Sequence, residues 1–313
     1  MIKFDIDNRK TPFAHTYSIV ARDAKTGEMG VGVQSHYFSV GGVVSWGESG
    51  VGVVATQSLV NVSFGLRGLE LLKQGKSPRE ALDILLAADE GREVRQVAIL
   101  DVQGRVAAHT GSKCILHAGH IEGNNYSVQA NMMLTDKVWS TMSKTFESHE
   151  DLRLPERIVK TLAAAETVGG DIRGKQSAAI LIVGGMEAEN KWEDRLIDLR
   201  VEDHEHPIKE LSRVLKLHRA YKHMDEGDLA MEHSDMETAL NEYDSALEMF
   251  PKNLEMKFWT AVTLANNQMI TKALELFKEV FAIDKNWRTL AERLPKSDLL
   301  DVSKEELEKI LSL

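Results

Sequence analysis

The order in which strand-like and helix-like segments follow one another between residues 16 and 202 constrains the fold more than any other feature of this sequence. Short segments rich in glycine and β-branched residues come first, and residues 23–27 supply a turn between two of them. Two amphipathic helices follow, and the second begins with Ser77-Pro-Arg-Glu80, a capping box with proline at the first helical position. Strands, a helix and more strands come next, without the regular alternation of a parallel βαβ sheet. The order therefore predicts an α+β fold in which helices cover two stacked sheets, an αββα sandwich.

Hydrophobic periodicity and the positions of glycine and proline give the boundaries of these segments. The predicted strands are 16–23, 29–34, 42–46, 50–56, 96–101, 105–110, 126–131, 176–183 and 195–202. The predicted helices are 64–74, a second helix that starts at residue 78, and 155–166. Gly75 is expected to end the first helix in the left-handed conformation.

Composition and charge exclude several classes of protein. No apolar run is long enough to span a membrane, and the first 18 residues lack the apolar core of a secretory signal. Cys114 is the one cysteine, so no intrachain disulfide can form, and we expect a cytoplasmic protein. The net charge is −10, and from Val201 onward 23 acidic residues stand against 15 basic ones. This acidity argues against a nucleic-acid partner.

After Pro207 the sequence is predicted to be helical only, and it contains an internal repeat. The repeated positions lie 34 residues apart: Ala239, Tyr243, Ala246 and Pro251 in the first copy, and Ala273, Phe277, Val280 and Lys285 in the second. This pattern is typical of a tetratricopeptide repeat, whose stacked helix pairs present a concave surface to a protein partner. The sequence therefore divides into a leader (1–15), a sandwich domain (16–206) and a helical-repeat domain (207–313). Because two clear copies are few, we expect the repeats to pack on the sandwich or on another subunit, and the protein to be a homo-oligomer.

Three separated segments carry a resemblance to a known family. They are HTYSIVARDAKTGEMGVGVQS, GVGVVATQ and GGDIRGKQSAA, in that order along the chain. Over roughly residues 15–206 the sequence resembles the domain-of-unknown-function family 1028 of the N-terminal-nucleophile (Ntn) hydrolase superfamily. The resemblance implies a Thr, Ser or Cys nucleophile at the very start of the first strand. Its own free α-amine would be the base, and backbone N–H groups would stabilise the oxyanion. At the matching position this sequence has Thr16.

Thr16 can act in this way only if its nitrogen is a free amine. Fifteen residues precede it, so methionine removal cannot expose it and the protein would have to cut its own His15–Thr16 bond. Two alternatives stay open. Thr16 could simply start a strand, where threonine is common. An uncut Thr16 could also work with a separate base, His36 or His109.

Further candidates lie at predicted strand ends or in loops near the expected site. A hydroxyl or an amide there could bind substrate or orient Thr16, and an arginine could bind a carboxylate through two hydrogen bonds. The candidate catalytic residues are Thr16, Ser35, His36, His109 and Asn131, and the candidate substrate-binding residues are Thr56, Gln57, Asp171, Arg173 and Gln176. Local hydrogen bonding in turns and loops is the competing interpretation.

No metal or cofactor is predicted. The segment Asp203-His-Glu-His206 contains metal-ligand residue types, but neighbouring residues of a strand point to opposite faces, so we interpret it as a solvated linker. No glycine-rich phosphate-binding motif occurs, and Cys114 has no recognisable histidine partner. Two functional hypotheses follow. The protein is an amide-bond hydrolase for a small amide or peptide-like substrate, or it is a catalytically silent binding or scaffolding protein of the same fold.

Overall fold

The computed structural model describes residues 13–313. The chain divides into two compact units within one long helix, the first ending at Leu215 and the second running from Lys216 to Leu313. Of the predicted leader, residues 13–15 fall within the described part and the others lie outside it.

Two antiparallel sheets form the centre of the first unit. Sheet A contains β1 (Phe13–Ala14), β4 (Ser45–Glu48), β5 (Gly52–Leu59), β6 (Arg95–Asp101) and β7 (Val106–Thr110). Its order is β1-β5-β6-β7, with β4 also paired to β5. Sheet B contains β2 (Thr16–Arg22), β3 (Met29–Ser35), β8 (Gly119–Gly123), β9 (Tyr126–Ala130), β10 (Ser177–Val183) and β11 (Arg195–Val201). Its order is β11-β10-β3-β2-β9-β8.

Alternation of side chains along the strands produces three apolar layers. Between the sheets, Val31 and Val33 of sheet B share a core with Val53 and Ala98 of sheet A. The outer face of sheet A packs on α2 (Ser63–Lys73) and α3 (Pro78–Ala87). The outer face of sheet B packs on α4 (Val138–Glu147) and α5 (Leu154–Thr167). The layers therefore run helix, sheet, sheet, helix. The predicted mixed fold of helices and strands is confirmed, and the structure shows that both sheets are antiparallel.

Local sequence signals explain several boundaries. Ser77 accepts from the backbone N–H of Glu80, and the Glu80 carboxylate accepts from the backbone N–H of Ser77, so the predicted capping box is present. Gly75 follows α2 with φ +82°, the predicted left-handed conformation. Gly32 lies where β3 meets α5, and a Cβ there would be 2.3 Å from Ile158 Cγ2. Glycine thus permits the close approach of helix and sheet.

Four elements of the first unit differ from the prediction, and one of them is β1, which lies in the predicted leader. The strand predicted over 42–46 is wrong in its first half, because a short helix α1 (Gly41–Val44) precedes β4. A Cβ at Gly41 would lie 2.5 Å from that of Ala179, so glycine lets this turn sit against β10. Strand β8 and helix α4 were not predicted. Helix α4 buries Val138, Met142 and Phe146, which recur every fourth residue on one helical face.

The C-terminal region is helical, as predicted. It contains α6 (Pro207–Glu232), α7 (Met236–Met249), α8 (Leu254–Asn266), α9 (Ile270–Ile283), α10 (Asn286–Arg293) and α11 (Lys304–Leu311). The residues related by 34 positions are buried in α7 and α9: Ala239, Tyr243, Ala246, Ala273, Phe277 and Val280. Gly227 packs against the Tyr243 ring, where a Cβ would lie 2.5 Å from Cε1. None of the helices within residues 13–313 is long and apolar enough to cross a membrane.

Candidate functional site

The side chains that point between the two sheets are apolar at one end of the sandwich and polar at the other. Along β2, for example, Thr16 and Ser18 lie at the polar end, and Val20 belongs to the apolar core. The buried polar residues at this end are Thr16, Ser18, Ser35, Gln57, Gln96, Gln129 and Asn131. Buried polar groups need hydrogen-bond partners, so this end is organised by hydrogen bonds rather than by apolar packing.

Five of these side chains form a chain of hydrogen bonds from sheet to sheet, which we call the amide network. Its members are Ser18, Gln57, Gln96, Gln129 and Asn131. Ser18 Oγ donates to Gln57 Oε1 at 2.7 Å and accepts from Gln129 Nε2 at 2.6 Å. Gln96 Oε1 accepts from Gln57 Nε2 at 2.7 Å and from Asn131 Nδ2 at 2.8 Å. Because burial makes each of these bonds costly to break, the network holds its amides in fixed orientations.

Thr16 lies at the edge of the amide network and is fully buried. Its hydroxyl Oγ1 donates to the carbonyl oxygen of Ala14 at 2.7 Å. Its own carbonyl oxygen accepts from the backbone N–H of Asn131 at 3.1 Å and from Gln57 Nε2 at 3.2 Å. Both sheets therefore hold the first residue of β2.

The carbonyl of His15, which precedes the Thr16 nitrogen, receives two side-chain donors. Ser35 Oγ donates to the His15 carbonyl oxygen at 2.6 Å, and Arg173 Nη2 donates to it at 2.7 Å. Ser35 is the β3 partner directly opposite Thr16, which places its hydroxyl beside this peptide bond. Two convergent donors, one of them charged, polarise the carbonyl and stabilise negative charge on its oxygen.

A buried carboxylate orients Arg173. Asp171 accepts from Arg173 Nε at 3.1 Å and from Nη2 at 2.7 Å, in a two-point ion pair. The Asp171 side chain is 0% exposed and also accepts from the backbone N–H of His36 at 3.2 Å. The Arg173 side chain is 29% exposed. The ion pair thus fixes the guanidinium against the His15 carbonyl.

The His15 side chain is also enclosed, with 2% of the residue exposed. Its Nδ1 lies 2.8 Å from Asn131 Oδ1. Because Asn131 Nδ2 donates to Gln96, the oxygen is the atom that faces the ring, and Nδ1 is the donor. Burial lowers the pKa of His15 below its ordinary value of 6.5, against the smaller opposite effect of the Asn131 hydrogen bond. Burial therefore favours the neutral form of the ring.

The sequence model of a family of unknown function, DUF1028, matches residues 16–211. The chain belongs to the DUF1028 family. A crystal structure of the DUF1028 protein SPO2555 from Silicibacter pomeroyi is similar to this chain, with a TM-score of 0.58 and 29% sequence identity. The similarity covers 64% of this chain and 88% of that one. No curated protein matches the chain.

Within the DUF1028 domain, five of the predicted residues besides Thr16 cluster around His15 and Thr16, either by direct contact or, for Asp171, through Arg173. They are Ser35, Gln57, Asn131, Asp171 and Arg173. Gln176 is next to them through its backbone, because its N–H donates to the Ser35 carbonyl at 3.1 Å. The His36 side chain is exposed, and only its backbone N–H reaches Asp171.

Two predicted residues of the DUF1028 domain point away from this site. His109 is paired with Val97, and the Val97 side chain belongs to the core under α2 and α3, so His109 faces the same side of the sheet. His109 Nε2 lies 3.0 Å from the Arg92 carbonyl oxygen. Thr56 precedes Gln57 in β5 and donates to the Asn61 carbonyl at 3.2 Å. Because neighbouring strand residues alternate faces, the inward position of Gln57 puts Thr56 on the helix-covered face.

Four residues of the site were not singled out from the sequence: His15, Ser18, Gln96 and Gln129. Gln129 and Asn131 share the two-residue spacing of a strand face, and this spacing was an available signal. Nothing in the sequence pairs Gln96 with them, because that contact joins different sheets. Gln96 also donates to Thr110 Oγ1 at 2.8 Å, at the edge of a groove of about 630 Å³.

One group of side chains in the described residues could hold a metal ion. His223, Glu226 and Glu242 have ligand atoms within 4.8 Å of one another. His223 Nδ1 lies 2.6 Å from Glu242 Oε2, so a hydrogen bond already accounts for their proximity. The group lies in the C-terminal unit.

Two other sequence features carry no site. In the predicted linker, His204 and His206 are exposed. Cys114 is partly buried, and burial raises the pKa of its thiol.

Proposed function

We propose that the protein is a self-processing amide hydrolase of the Ntn type, with Thr16 as the nucleophile after cleavage of the His15–Thr16 bond. The observation that carries the proposal is the pair of donors, Ser35 and Arg173, on the carbonyl oxygen of His15. A hydroxyl beside a polarised carbonyl is the arrangement that acyl transfer requires. The DUF1028 match also begins at Thr16 and runs to residue 211, so residues 1–15 lie outside it.

The proposed self-cleavage uses the same side chains. Thr16 Oγ1 attacks the carbonyl carbon of His15 through a five-membered ring, and the negative charge on the oxygen is held by Arg173 and Ser35. The C–N bond breaks, the hydroxyl proton ends on the Thr16 nitrogen, and the leader is left as an ester on Oγ1. Water then hydrolyses the ester, which gives a leader ending in the His15 carboxylate and a free Thr16 α-amine.

The free amine supplies the base that the uncut chain lacks. It accepts the proton of Thr16 Oγ1 as the oxygen attacks a substrate amide, and it passes that proton to the departing amine. The resulting ester is hydrolysed by water, which returns the free enzyme. The donors that held the His15 carbonyl are then available to the substrate carbonyl. The net reaction converts an amide and water into a carboxylic acid and an amine.

Variants of Thr16 test the proposal. We expect Thr16→Ser to self-cleave, because serine keeps the hydroxyl, and Thr16→Ala to keep the leader. The mass of each purified chain is the measurement, and circular dichroism establishes that both variants are folded. Cleavage of the Thr16→Ala chain at the same bond would contradict the proposal, since another protease would then be responsible.

A second candidate, a binding protein without catalysis, is favoured by one observation. Thr16 is fully buried, and its hydroxyl is already bound to Ala14. In this case the polar end would serve only to anchor residues 13–15 in the sandwich. Wild-type protein that keeps the leader after prolonged incubation would support this candidate.

We also propose that the C-terminal unit is a tetratricopeptide-like interaction module. The buried small and aromatic residues that recur 34 positions apart in α7 and α9 support this classification. Its partner would be a protein, or a second copy of the chain in a homo-oligomer. Light scattering of the purified chain measures the oligomeric state. The cytoplasmic location stays a prediction.

A further inference from the structure

The last residues of the leader are bound as an extended peptide at the polar end of the sandwich. Strand β1 pairs antiparallel with the end of β5, with Phe13 opposite Leu59 and Ala14 opposite Ser58. The carbonyl of the next residue, His15, is held by Arg173 and Ser35. Backbone pairing of this kind recognises a peptide main chain without regard to its sequence.

The edge of β5 that receives the leader is held by contacts that do not involve the leader. Arg95 Nη1 donates to the Leu59 carbonyl oxygen at 2.5 Å. Arg95 is itself paired with Asp89, at 2.7 Å between Nε and Oδ2, and both side chains are about nine-tenths buried. Ser58 is also paired with Arg95 in the ladder between β5 and β6. The edge therefore stays formed when the leader departs.

A side-chain position of defined chemistry lies beside this edge. The His15 ring is enclosed and donates from Nδ1 to Asn131 Oδ1 at 2.8 Å. Gln96 fixes the Asn131 amide by accepting from Nδ2, so Oδ1 is presented as an acceptor. A negatively charged side chain would meet this acceptor without a hydrogen bond, and an apolar one would leave Oδ1 unpaired. Either loss is costly in a buried position.

On the basis of the proposed hydrolase function, we infer that the substrate is an extended peptide with histidine on the acyl side of the scissile bond. The peptide takes the places of Ala14 and His15: its main chain pairs with Ser58 and Leu59, and its histidine donates to Asn131. Its scissile carbonyl lies between Arg173 and Ser35. Thr16 Oγ1 forms an ester with this carbonyl as the C–N bond breaks, the amine leaves with a proton, and water releases the peptide acid.

The test uses the self-cut wild-type protein and a series of peptides that differ in one residue. The substrates are acetyl-Phe-Ala-His, acetyl-Phe-Ala-Leu and acetyl-Phe-Ala-Asp, each joined by an amide bond to aminomethylcoumarin. Loss of one buried hydrogen bond corresponds to about a tenfold effect, so kcat/KM for the histidine peptide should exceed both others by at least about tenfold. Asn131→Leu should remove the preference for histidine over leucine. Asn124→Ala, on the exposed β8–β9 turn, should keep it.

The outcomes separate this inference from the proposed function. A chain that never loses the leader overturns both. A cut chain that hydrolyses the three peptides at equal rates overturns the histidine assignment and leaves the hydrolase intact. A cut chain that neither hydrolyses any of them nor binds acetyl-Phe-Ala-His acid in calorimetry overturns the peptide assignment. The peptide series needs no variant, so it tests the preference for histidine even if Asn131→Leu fails to fold.

Discussion

Replacement of Gln96 by leucine tests whether the amide network organises the polar end of the sandwich. Gln96 is fully buried and makes five hydrogen bonds within 3.2 Å: it accepts two, and it donates to Thr110, Gly119 and Ala130. Leucine has a similar volume, so a large cavity is not the main effect. The variant instead takes the acceptor away from two buried N–H groups.

The expected loss of stability depends on which acceptors those two N–H donors keep. Gln57 Nε2 keeps the Thr16 carbonyl oxygen at 3.2 Å and the Gln129 carbonyl oxygen at 3.4 Å, and Asn131 Nδ2 keeps the Thr16 carbonyl oxygen at 3.4 Å, a weaker geometry. A buried donor left poorly satisfied costs about 1–3 kcal/mol. For two donors we expect Gln96→Leu to lower the free energy of unfolding by about 2–6 kcal/mol.

Native-state hydrogen exchange of the β6 amides is the assay, because it reports on this unit separately from the helical one. Gln74→Leu is the matched control, since Gln74 is exposed at the end of α2, and such surface changes stay within about 0.5 kcal/mol. A loss below about 1 kcal/mol for Gln96→Leu would refute the reasoning, because it would mean that the network contributes little more than surface contacts.

Three further predictions concern the cleavage site and the packing of α5. Arg173→Ala should slow self-cleavage about 10²–10³-fold, the usual cost of losing one oxyanion donor, in a time course followed by mass; an unchanged rate would exclude that role. In the uncut Thr16→Ala chain, the pKa of His15 is lower in the folded than in the unfolded state. The unfolded chain therefore binds the extra proton, and stability should fall as pH drops below about 6.5. In urea denaturation, the free energy of unfolding should fall less steeply with pH for the Thr16→Ala chain that also carries His15→Gln. Equal dependence on pH in the two chains would contradict the lowered pKa of His15. Gly32→Ala should destabilise by about 1–3 kcal/mol in the same assay, because its Cβ would meet Ile158 at 2.3 Å, and a neutral effect would show that α5 yields.

Local signals in the sequence were sufficient for much of the fold. The capping box at Ser77 and the left-handed Gly75 depend on residues within one turn of each other, so they can be recognised without tertiary information. The mixed α/β architecture followed from the order of segments. Helix α1 was missed because its conformation depends on how Gly41 approaches Ala179 in a distant strand.

The candidate site was only partly accessible from the sequence. Polar residues at strand ends, such as Ser35 and Asn131, could be selected because the predicted strands placed them there. Whether a strand-end residue points between the sheets or toward the helices depends on register, and a shift of one residue reverses the answer. Register separates Gln57 from Thr56, and it also puts His109 on the same face of sheet A as Val97, away from the space between the sheets. The role of Gln96 depends on contacts between sheets, which no local pattern contains.

The most direct test of the self-processing hydrolase is the intact mass of the untagged wild-type chain, followed over time after purification. We predict that the mass falls by that of residues 1–15 and that the new N-terminus is Thr16. A chain that keeps its full mass, in a preparation shown to be folded, would contradict the assignment of Thr16 as an N-terminal nucleophile. The polar end would then be a structural anchor for residues 13–15.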